Sequence, residues 1–163
     1  MAIVGYMGSG KTSVGRLLAR RTGRDFVDLD AEISRVAGRT IPEIFAEGGE
    51  DRFRDLECDA LATALASPEP AVVSCGGGVI TRPENRAALR DIPTVFLSED
   101  VEVLYSRTRD PNRPLRGVSR GDFVRRHTER LPLYREVADV EVRADGRSAA
   151  AVAEEVERWL RTR

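Results

Sequence analysis

The chain has 163 residues, a length typical of one globular domain with a sizeable hydrophobic core. Its 26 basic and 27 acidic residues give a formal net charge of −1, which argues against binding to nucleic acid or to an acidic membrane surface. The sequence holds no apolar run long enough for a transmembrane helix or for the core of a secretory signal. Two cysteines, Cys58 and Cys75, fit neither a disulfide framework nor a zinc site, so the composition predicts a reduced, cytoplasmic protein.

Short apolar segments typical of β-strands alternate along the chain with longer segments of helical periodicity. The predicted strands are Ala2–Val4, Phe26–Leu29, Ala71–Cys75, Thr94–Leu97 and Val140–Val142. This alternation is typical of α/β proteins, in which a parallel sheet carries helices on its faces. We therefore predict a three-layer αβα domain with a five-stranded parallel sheet, spanning residues 1–163.

Helical periodicity and capping signals define the segments between these strands. The predicted helices are Thr12–Arg21, a short helix around Ile44 and Phe45, about Glu50–Leu65, Pro83–Leu89, Val101–Thr108, Phe123–Val137 and Ala149–Leu160. Thr40 and Glu43 have the spacing of a capping box, which predicts the start of the short helix. Residues 109–121 contain two prolines and two glycines and break the periodicity, so we predict a mobile loop there.

The segment from Gly5 to Thr12 matches the pattern G-x-x-x-x-G-K-[ST] and lies between the first predicted strand and the first predicted helix. In this phosphate loop, backbone N–H groups and the positive end of the helix surround a phosphate. Lys11 is the only lysine of the chain, and its compact ammonium group reaches phosphates that the broad fork of an arginine would not fit. The candidate ATP-binding residues of this loop are Gly8, Ser9, Gly10, Lys11, Thr12 and Ser13.

The rest of the chain argues against two classes of phosphate-loop protein. A GTPase would need a second lysine in an N-K-x-D motif, and the chain has none. A motor or AAA-type ATPase would show a strand that ends in Asp-Glu, whereas the third strand, "AVVSC", runs into glycines. A small-molecule kinase remains the leading class.

Asp28 and Asp30 lie two residues apart at the end of the second predicted strand, so we expect their side chains to point the same way at the carboxyl edge of the sheet. Ligands bind at this edge in open α/β sheets. Taken alone, either aspartate would more simply be the N-cap of the next helix.

Six segments together point to one family: "GYMGSGKTSVGRLLA", "DLD", "IPEIFAEGGEDRFRDLE", "CGGGVITRPENR", "NRPL" and "RLPLYREVA". In their order and spacing the sequence resembles the shikimate kinase family over essentially its whole length. The resemblance implies the P-loop NTPase fold of nucleoside-monophosphate-kinase-like enzymes, with a phosphate loop at residues 5–12, a substrate-binding helical segment at about residues 30–60 and a lid at about residues 109–121. It also implies a monomer that uses Mg²⁺ to transfer the ATP γ-phosphoryl group to the 3-hydroxyl of shikimate, on the route to chorismate and the aromatic amino acids.

The resemblance carries over to particular residues on the acceptor side. It implies that Asp30 orients or deprotonates the attacking hydroxyl, and that Arg54 and Arg135 hold the carboxylate of shikimate in bidentate contacts. Glu57 matches an acid that keeps Arg54 in place. The implied substrate-binding residues are Asp30, Arg54, Gly76, Gly77, Gly78 and Arg135.

On the nucleotide side, the resemblance implies that Thr12 and Asp28 lie at the Mg²⁺ ion. Arg113 matches the lid arginine that would balance charge in the transition state beside Lys11. Arg107 and Arg147 fall where the family packs adenine between side chains.

Three alternatives share part of this pattern. A gluconate-type kinase or a nucleoside-monophosphate kinase would have the same phosphate loop and lid. Arg54, Arg135 and the triple glycine favour a small polyol carboxylate over a nucleotide as the acceptor. A non-catalytic ATP-binding relative is the alternative from another class, and it would bind ATP without turnover.

Overall fold

A computed structural model describes residues 1–108 and 119–163 and shows one parallel β-sheet flanked by helices. Within the described residues the sheet has five strands, in the order β2-β3-β1-β4-β5. The strands are β1 (Ala2–Val4), β2 (Asp25–Asp28), β3 (Ala71–Ser74), β4 (Thr94–Ser98) and β5 (Val140–Arg143). Both the predicted fold class and the five strand positions are confirmed.

The helices lie in the crossover connections between the parallel strands, and such connections are right-handed in parallel sheets. They are α1 (Lys11–Thr22), α2 (Leu29–Ala37), α3 (Ile41–Ala66), α4 (Pro83–Arg90), α5 (Val101–Arg107), α6 (Arg120–Val137) and α7 (Ala149–Leu160), with a 3₁₀ turn at Val79–Thr81. Among the described residues, no helix is both long and apolar enough to cross a lipid bilayer.

Each face of the sheet has its own hydrophobic core, because successive residues of a strand point to opposite faces. Ile3 packs with Val14 and Leu18 of α1 and with Val152 of α7 on one face. Val4, one residue further along β1, packs on the other face with side chains from helices α3 to α6. Strand β1 lies between the two cores at the centre of the sheet and is fully buried.

A third, smaller cluster lies apart from the sheet. Ile33 of α2 packs against Ile44 and Phe53 of α3, so these two helices form a unit with an apolar centre of its own. The unit falls within the segment that the sequence resemblance assigned to substrate binding.

Two local structures differ from the sequence-based expectations. Strand β2 ends at Asp28, whose side chain caps α2, so Asp30 lies in the first turn of a helix instead of on a strand. The predicted helices around Ile44 and from Glu50 form one kinked helix, α3, with a sharp turn at Gly49. The predicted capping box of Thr40 and Glu43 is present at the start of α3.

Candidate active site

The phosphate loop joins β1 to α1 at the carboxyl edge of the sheet. Its Lys11 side chain turns back over the loop and donates a hydrogen bond to the carbonyl of Tyr6 at 2.9 Å. The Ser9 hydroxyl is buried and has no hydrogen-bond partner among the described residues. A loop that presents backbone N–H groups, a lysine and a spare hydroxyl is equipped to bind the phosphates of a nucleotide.

Thr12 and Asp28 meet beside this loop. The Thr12 hydroxyl donates to Asp28 Oδ2 at 2.8 Å, and Asp28 Oδ1 accepts the backbone N–H of Ala31 at 3.4 Å as the N-cap of α2. Asp28 is therefore the N-cap of α2 and at the same time a hydrogen-bond partner of Thr12 in the phosphate loop. A hydroxyl and a carboxylate are hard oxygen donors of the kind that Mg²⁺ prefers.

Asp30 lines the same cavity as the phosphate loop, although it reaches that position from a helix. The first turn of α2 lies at the carboxyl end of β2, so a helical residue there projects into the space above the sheet edge. The carboxylates of Asp30 and Glu57 both lie against Gly76, where an added Cβ atom would be 3.0 Å from Asp30 Oδ1 and 2.5 Å from Glu57 Oε1. The prediction that Asp30 ends the second strand is therefore wrong, but its side chain lines the cavity at the carboxyl edge of the sheet.

Arg54 forms a buried ion-pair network with two glutamates of its own helix. Its side chain is 4% exposed and donates from Nη1 to Glu57 Oε2 at 2.5 Å and from Nη2 to Glu50 Oε1 at 3.0 Å. The turns of α3 after Gly49 place these side chains on one face, because residues three and four apart are neighbours on a helix. The network fixes the guanidinium at the wall of the cavity.

Glu57 is fully buried, and this burial raises the pKa of its carboxyl above the ordinary value of 4.5. One of its oxygens, Oε1, has no hydrogen-bond partner in the part of the chain that the structure describes. A buried carboxylate oxygen left unpaired is unfavourable, so a donor from a bound ligand would stabilise it.

The triple glycine forms the turn after β3. A Cβ atom on Gly78 would lie 2.2 Å from Nη2 of Arg54, so only glycine allows the backbone and the guanidinium to approach so closely. The Gly77 carbonyl accepts hydrogen bonds from Arg130 Nη1 at 3.2 Å and from the Tyr134 hydroxyl. These contacts join the turn to helix α6.

The arginine that α6 contributes to the wall of this cavity is Arg130, whereas Arg135, the residue that the sequence resemblance implied, does not line it. The Arg135 side chain is 56% exposed and pairs with Glu141 of β5 at 2.9 Å. Arg130 and the fully buried Tyr134 are four residues apart and share a helix face, whereas Arg135 lies about 100° around the helix from Tyr134. In the sequence, Arg130 lies four residues before Tyr134, and this helical spacing is the signal that could have identified Arg130 as the residue that faces the same way as a buried tyrosine.

The remaining predicted residues lie towards β4 and β5. Arg107, at the end of α5, lines the cavity and donates to the Gly8 carbonyl at 3.4 Å. Arg147 lies after β5 and pairs with Glu155 of α7 at 2.6 Å. Arg113 and most of the predicted lid lie outside the described residues, so their roles stay predictions.

One cavity of about 1090 Å³ joins these groups. Its wall includes the phosphate loop, Asp28, Asp30, Arg54, the triple glycine and Arg130. The phosphate loop forms one part of this wall, and arginines and carboxylates form another. A fold of this type with such a cavity is that of a phosphate-loop phosphotransferase that acts on a small molecule.

Comparison with known proteins narrows this class. A model of the shikimate kinase family matches residues 7–161. Shikimate kinases of Dehalococcoides mccartyi and Nitratidesulfovibrio vulgaris are 39% and 46% identical to the chain, over 99% and 92% of its length and 93% and 89% of theirs. A solved structure of shikimate kinase from Acinetobacter baumannii in complex with shikimate superimposes with a TM-score of 0.93 at 39% identity, covering 99% of this chain and 92% of that one. The chain belongs to the shikimate kinase family.

Proposed function

We propose that this cavity binds ATP and shikimate side by side and transfers the γ-phosphoryl group to the 3-hydroxyl of shikimate, yielding shikimate 3-phosphate and ADP. The observation that carries the proposal is the joining of Lys11, Asp30 and Arg54 by one cavity. The phosphate-binding end and the acid-binding end are then close enough for direct transfer, with no covalent enzyme intermediate. The product feeds the synthesis of chorismate and the aromatic amino acids.

Two arginines are suited to hold the carboxylate of shikimate. Arg54 is fixed by Glu57 and Glu50, and Arg130 is fixed by the Gly77 carbonyl. A planar guanidinium forms two parallel hydrogen bonds with a carboxylate, which orients the bound ring as well as attracting it. We assign the second carboxylate contact to Arg130 in place of Arg135.

Asp30 is the group placed to act on the attacking hydroxyl. It lies beside Gly76 on the wall of the cavity that Lys11 and Arg54 also line. A carboxylate that accepts a hydrogen bond from the 3-hydroxyl would align its lone pair with the γ-phosphorus and could take its proton. Lys11 would stabilise the negative charge that develops on the transferred group.

Thr12 and Asp28 fit the requirements of a Mg²⁺ site. Their oxygens already lie 2.8 Å apart, and Mg²⁺ sites in kinases use one or two protein oxygens together with substrate phosphates. Consistent with such a sparse site, the described residues contain no cluster of three or more metal-binding side chains. When bound, the ion would neutralise charge on the β- and γ-phosphates.

The protein is further proposed to be a monomer in a reducing, cytoplasmic environment. Both cysteines are free, and complete burial raises the pKa of the Cys75 thiol to about 12, which keeps it protonated and unreactive. Sedimentation of the purified protein as an 18.0 kDa species would support the monomer.

The first experiment measures ADP release from Mg²⁺ and ATP with shikimate, gluconate or AMP offered separately. Turnover with shikimate alone is expected. Asp30→Asn should keep its affinity for ADP and lose most turnover, because the amide cannot accept the proton. If ATP binds but none of the three acceptors supports turnover, the protein is a non-catalytic nucleotide-binding relative.

The second experiment compares two arginine variants on the same helix. Arg130→Ala should raise the KM for shikimate by at least about tenfold, since it removes a charge-assisted contact to a carboxylate. Arg135→Ala removes the same charge from the outer face and should leave that KM within about twofold of the wild-type value. The reverse ranking would restore Arg135 as the substrate-binding residue.

A further inference from the structure

A buried carboxylate, Glu99, lies behind the nucleotide end of the cavity and plays no part in the chemistry described above. It comes directly after β4, and its side chain is only 1% exposed. A glutamate is seldom buried unless several donors satisfy it, so its partners indicate what it holds in place.

Its three partners come from three different parts of the chain. Glu99 Oε1 accepts the backbone N–H of Asp100 at 3.1 Å. Oε2 is shared by the backbone N–H of Gly146 and by Nη2 of Arg107, each at 3.3 Å. The carboxylate therefore ties the last residue of α5 to the turn after β5.

That turn has an unusual backbone. The Arg147 N–H donates to the Ala144 carbonyl at 2.7 Å, and the two residues between them, Asp145 and Gly146, both have positive φ, at 39° and 72°. Positive φ is unfavourable for an aspartate, so contacts from outside the turn must help to keep this conformation. The hydrogen bond from Gly146 to Glu99 is such a contact.

The order of the strands shows where the rest of the nucleotide must lie. The acceptor groups come after β2 and β3, on one side of the central strand β1, which carries the phosphate loop. If the phosphates of a nucleotide occupy the loop, its base must therefore lie on the opposite side of β1, above β4 and β5. On that side Arg107 lines the cavity beside Gly8 of the phosphate loop, and the 144–147 turn follows β5 and is joined to Arg107 through Glu99. A guanidinium plane can stack on a base.

We propose that Glu99 is a positioning residue for the nucleotide base: its buried carboxylate fixes Arg107 and the 144–147 turn as two walls of the base subsite. The inference rests on the proposed use of ATP. Glu99 does not line the cavity, and its hydrogen-bond and ion-pair partners are Asp100, Gly146 and Arg107, so it acts on the nucleotide through Arg107 and the turn and not by direct contact.

The test compares a ligand that has a base with one that lacks it. Binding of ADP and of inorganic pyrophosphate, each with Mg²⁺, is measured by calorimetry for the wild type and for Glu99→Ala, Glu99→Gln and Glu154→Gln. We expect Glu99→Ala to weaken ADP binding about tenfold, as the loss of a charge-assisted contact predicts, and to leave pyrophosphate binding within about twofold. Glu99→Gln keeps one acceptor oxygen and should show an intermediate loss of affinity for ADP. Glu154→Gln removes the same charge from the exposed face of α7 and should change neither ADP binding nor pyrophosphate binding.

Steady-state kinetics supply a second readout. The KM for ATP should rise in parallel with the Kd for ADP, while kcat and the KM for shikimate stay within about twofold. Equal weakening of ADP binding and pyrophosphate binding, or no change in either affinity, would overturn the inference. If Glu99→Ala does not fold, Glu99→Gln carries the same comparison. Because the binding assay needs no acceptor, its result stands even if shikimate fails to support turnover.

Discussion

Positive charge in the cavity is divided between two kinds of side chain according to the shape of the group that each would bind. Lys11 is the one lysine of the chain and lies at the phosphate loop, whereas Arg54 and Arg130 lie at the opposite end. An ammonium is a compact charge that fits inside a ring of backbone N–H groups, and a guanidinium is a planar fork that matches a carboxylate. The residue type at each of these three positions therefore matches the anion proposed to bind there.

Lys11→Arg tests this division directly. The variant should fold with a melting temperature close to that of the wild type, because the Lys11 side chain is partly exposed and its hydrogen bond to the Tyr6 carbonyl is one that an arginine can also donate. It should lose roughly 100-fold or more in kcat, since the larger group cannot reach the γ-phosphate in the same geometry. Thermal melting and ADP release measure the two effects. A fully active variant would contradict the geometric argument.

Glu57 should make the stability of the protein depend on pH in a defined direction. Burial raises the pKa of its carboxyl above 4.5, so the native state binds this proton more tightly than the unfolded state does. The stability contributed by the protonated form is present at low pH and is lost as pH rises through the interval between the unfolded and native pKa values. In Glu57→Gln this group no longer titrates.

We therefore expect the free energy of unfolding of the wild type, minus that of Glu57→Gln, to decrease as pH rises above 4.5. Urea denaturation at a series of pH values from about 4.5 to 8 measures this difference, in which groups common to both proteins cancel. A difference that increases with pH would show that Arg54 outweighs burial and lowers the pKa of Glu57.

At the level of secondary structure, the kink in α3 decides which way the acceptor-binding side chains face. Gly49 has φ 68° and ψ −169°, a backbone conformation open almost only to glycine. Ile44 before the kink and Phe53 after it both pack on α2, and Arg54 and Glu57 after the kink line the cavity. A straight helix would carry these two side chains in another direction.

Gly49→Ala should therefore affect both stability and substrate binding. Forcing alanine into this backbone conformation costs about 1–3 kcal/mol, or the helix straightens and moves Arg54. We expect a lower free energy of unfolding and a higher KM for shikimate, with a smaller change in the KM for ATP.

Gly23→Ala is the matched control for this variant. Gly23 ends α1 with φ 65°, and at both glycines an added Cβ would meet no atom within 4 Å. The control should lose about 1 kcal/mol of stability and keep the wild-type KM for shikimate. An equal rise of this KM in both variants would mean that lost stability, and not the direction of α3, is responsible.

On the scale of the whole molecule, one cavity spans three parts of the structure: the central strand, the α2–α3 unit and helix α6. A ligand at either end would contact more than one of these parts and add contacts between them to those that the two hydrophobic cores of the sheet provide. Binding should therefore stabilise the folded protein against heat through each end separately.

ADP with Mg²⁺ and shikimate should each raise the melting temperature, and their combination should raise it further than either alone. A ligand at 100 times its Kd adds about 2.7 kcal/mol, which corresponds to roughly 5–10 °C for a chain of this size. Gluconate and AMP, offered in place of shikimate, should give no shift beyond that of ADP. A shift with gluconate equal to that with shikimate would assign the acceptor end to a wider class of acids.

The sequence by itself determined the layered fold, the strand positions, the phosphate loop and the family. These features depend on local signals: hydrophobic periodicity, glycine and proline placement, a capping box and one lysine in a fixed motif. Only the tertiary structure decided that Asp30 lies on a helix, that α3 is kinked at Gly49, and that Arg130 faces the cavity where Arg135 does not. The role inferred for Glu99 also depends on its contact with Gly146, which is distant in the sequence. Periodicity shows which positions are buried. The packing of the elements decides which buried or half-buried polar groups come into contact, and a single sequence does not record that packing.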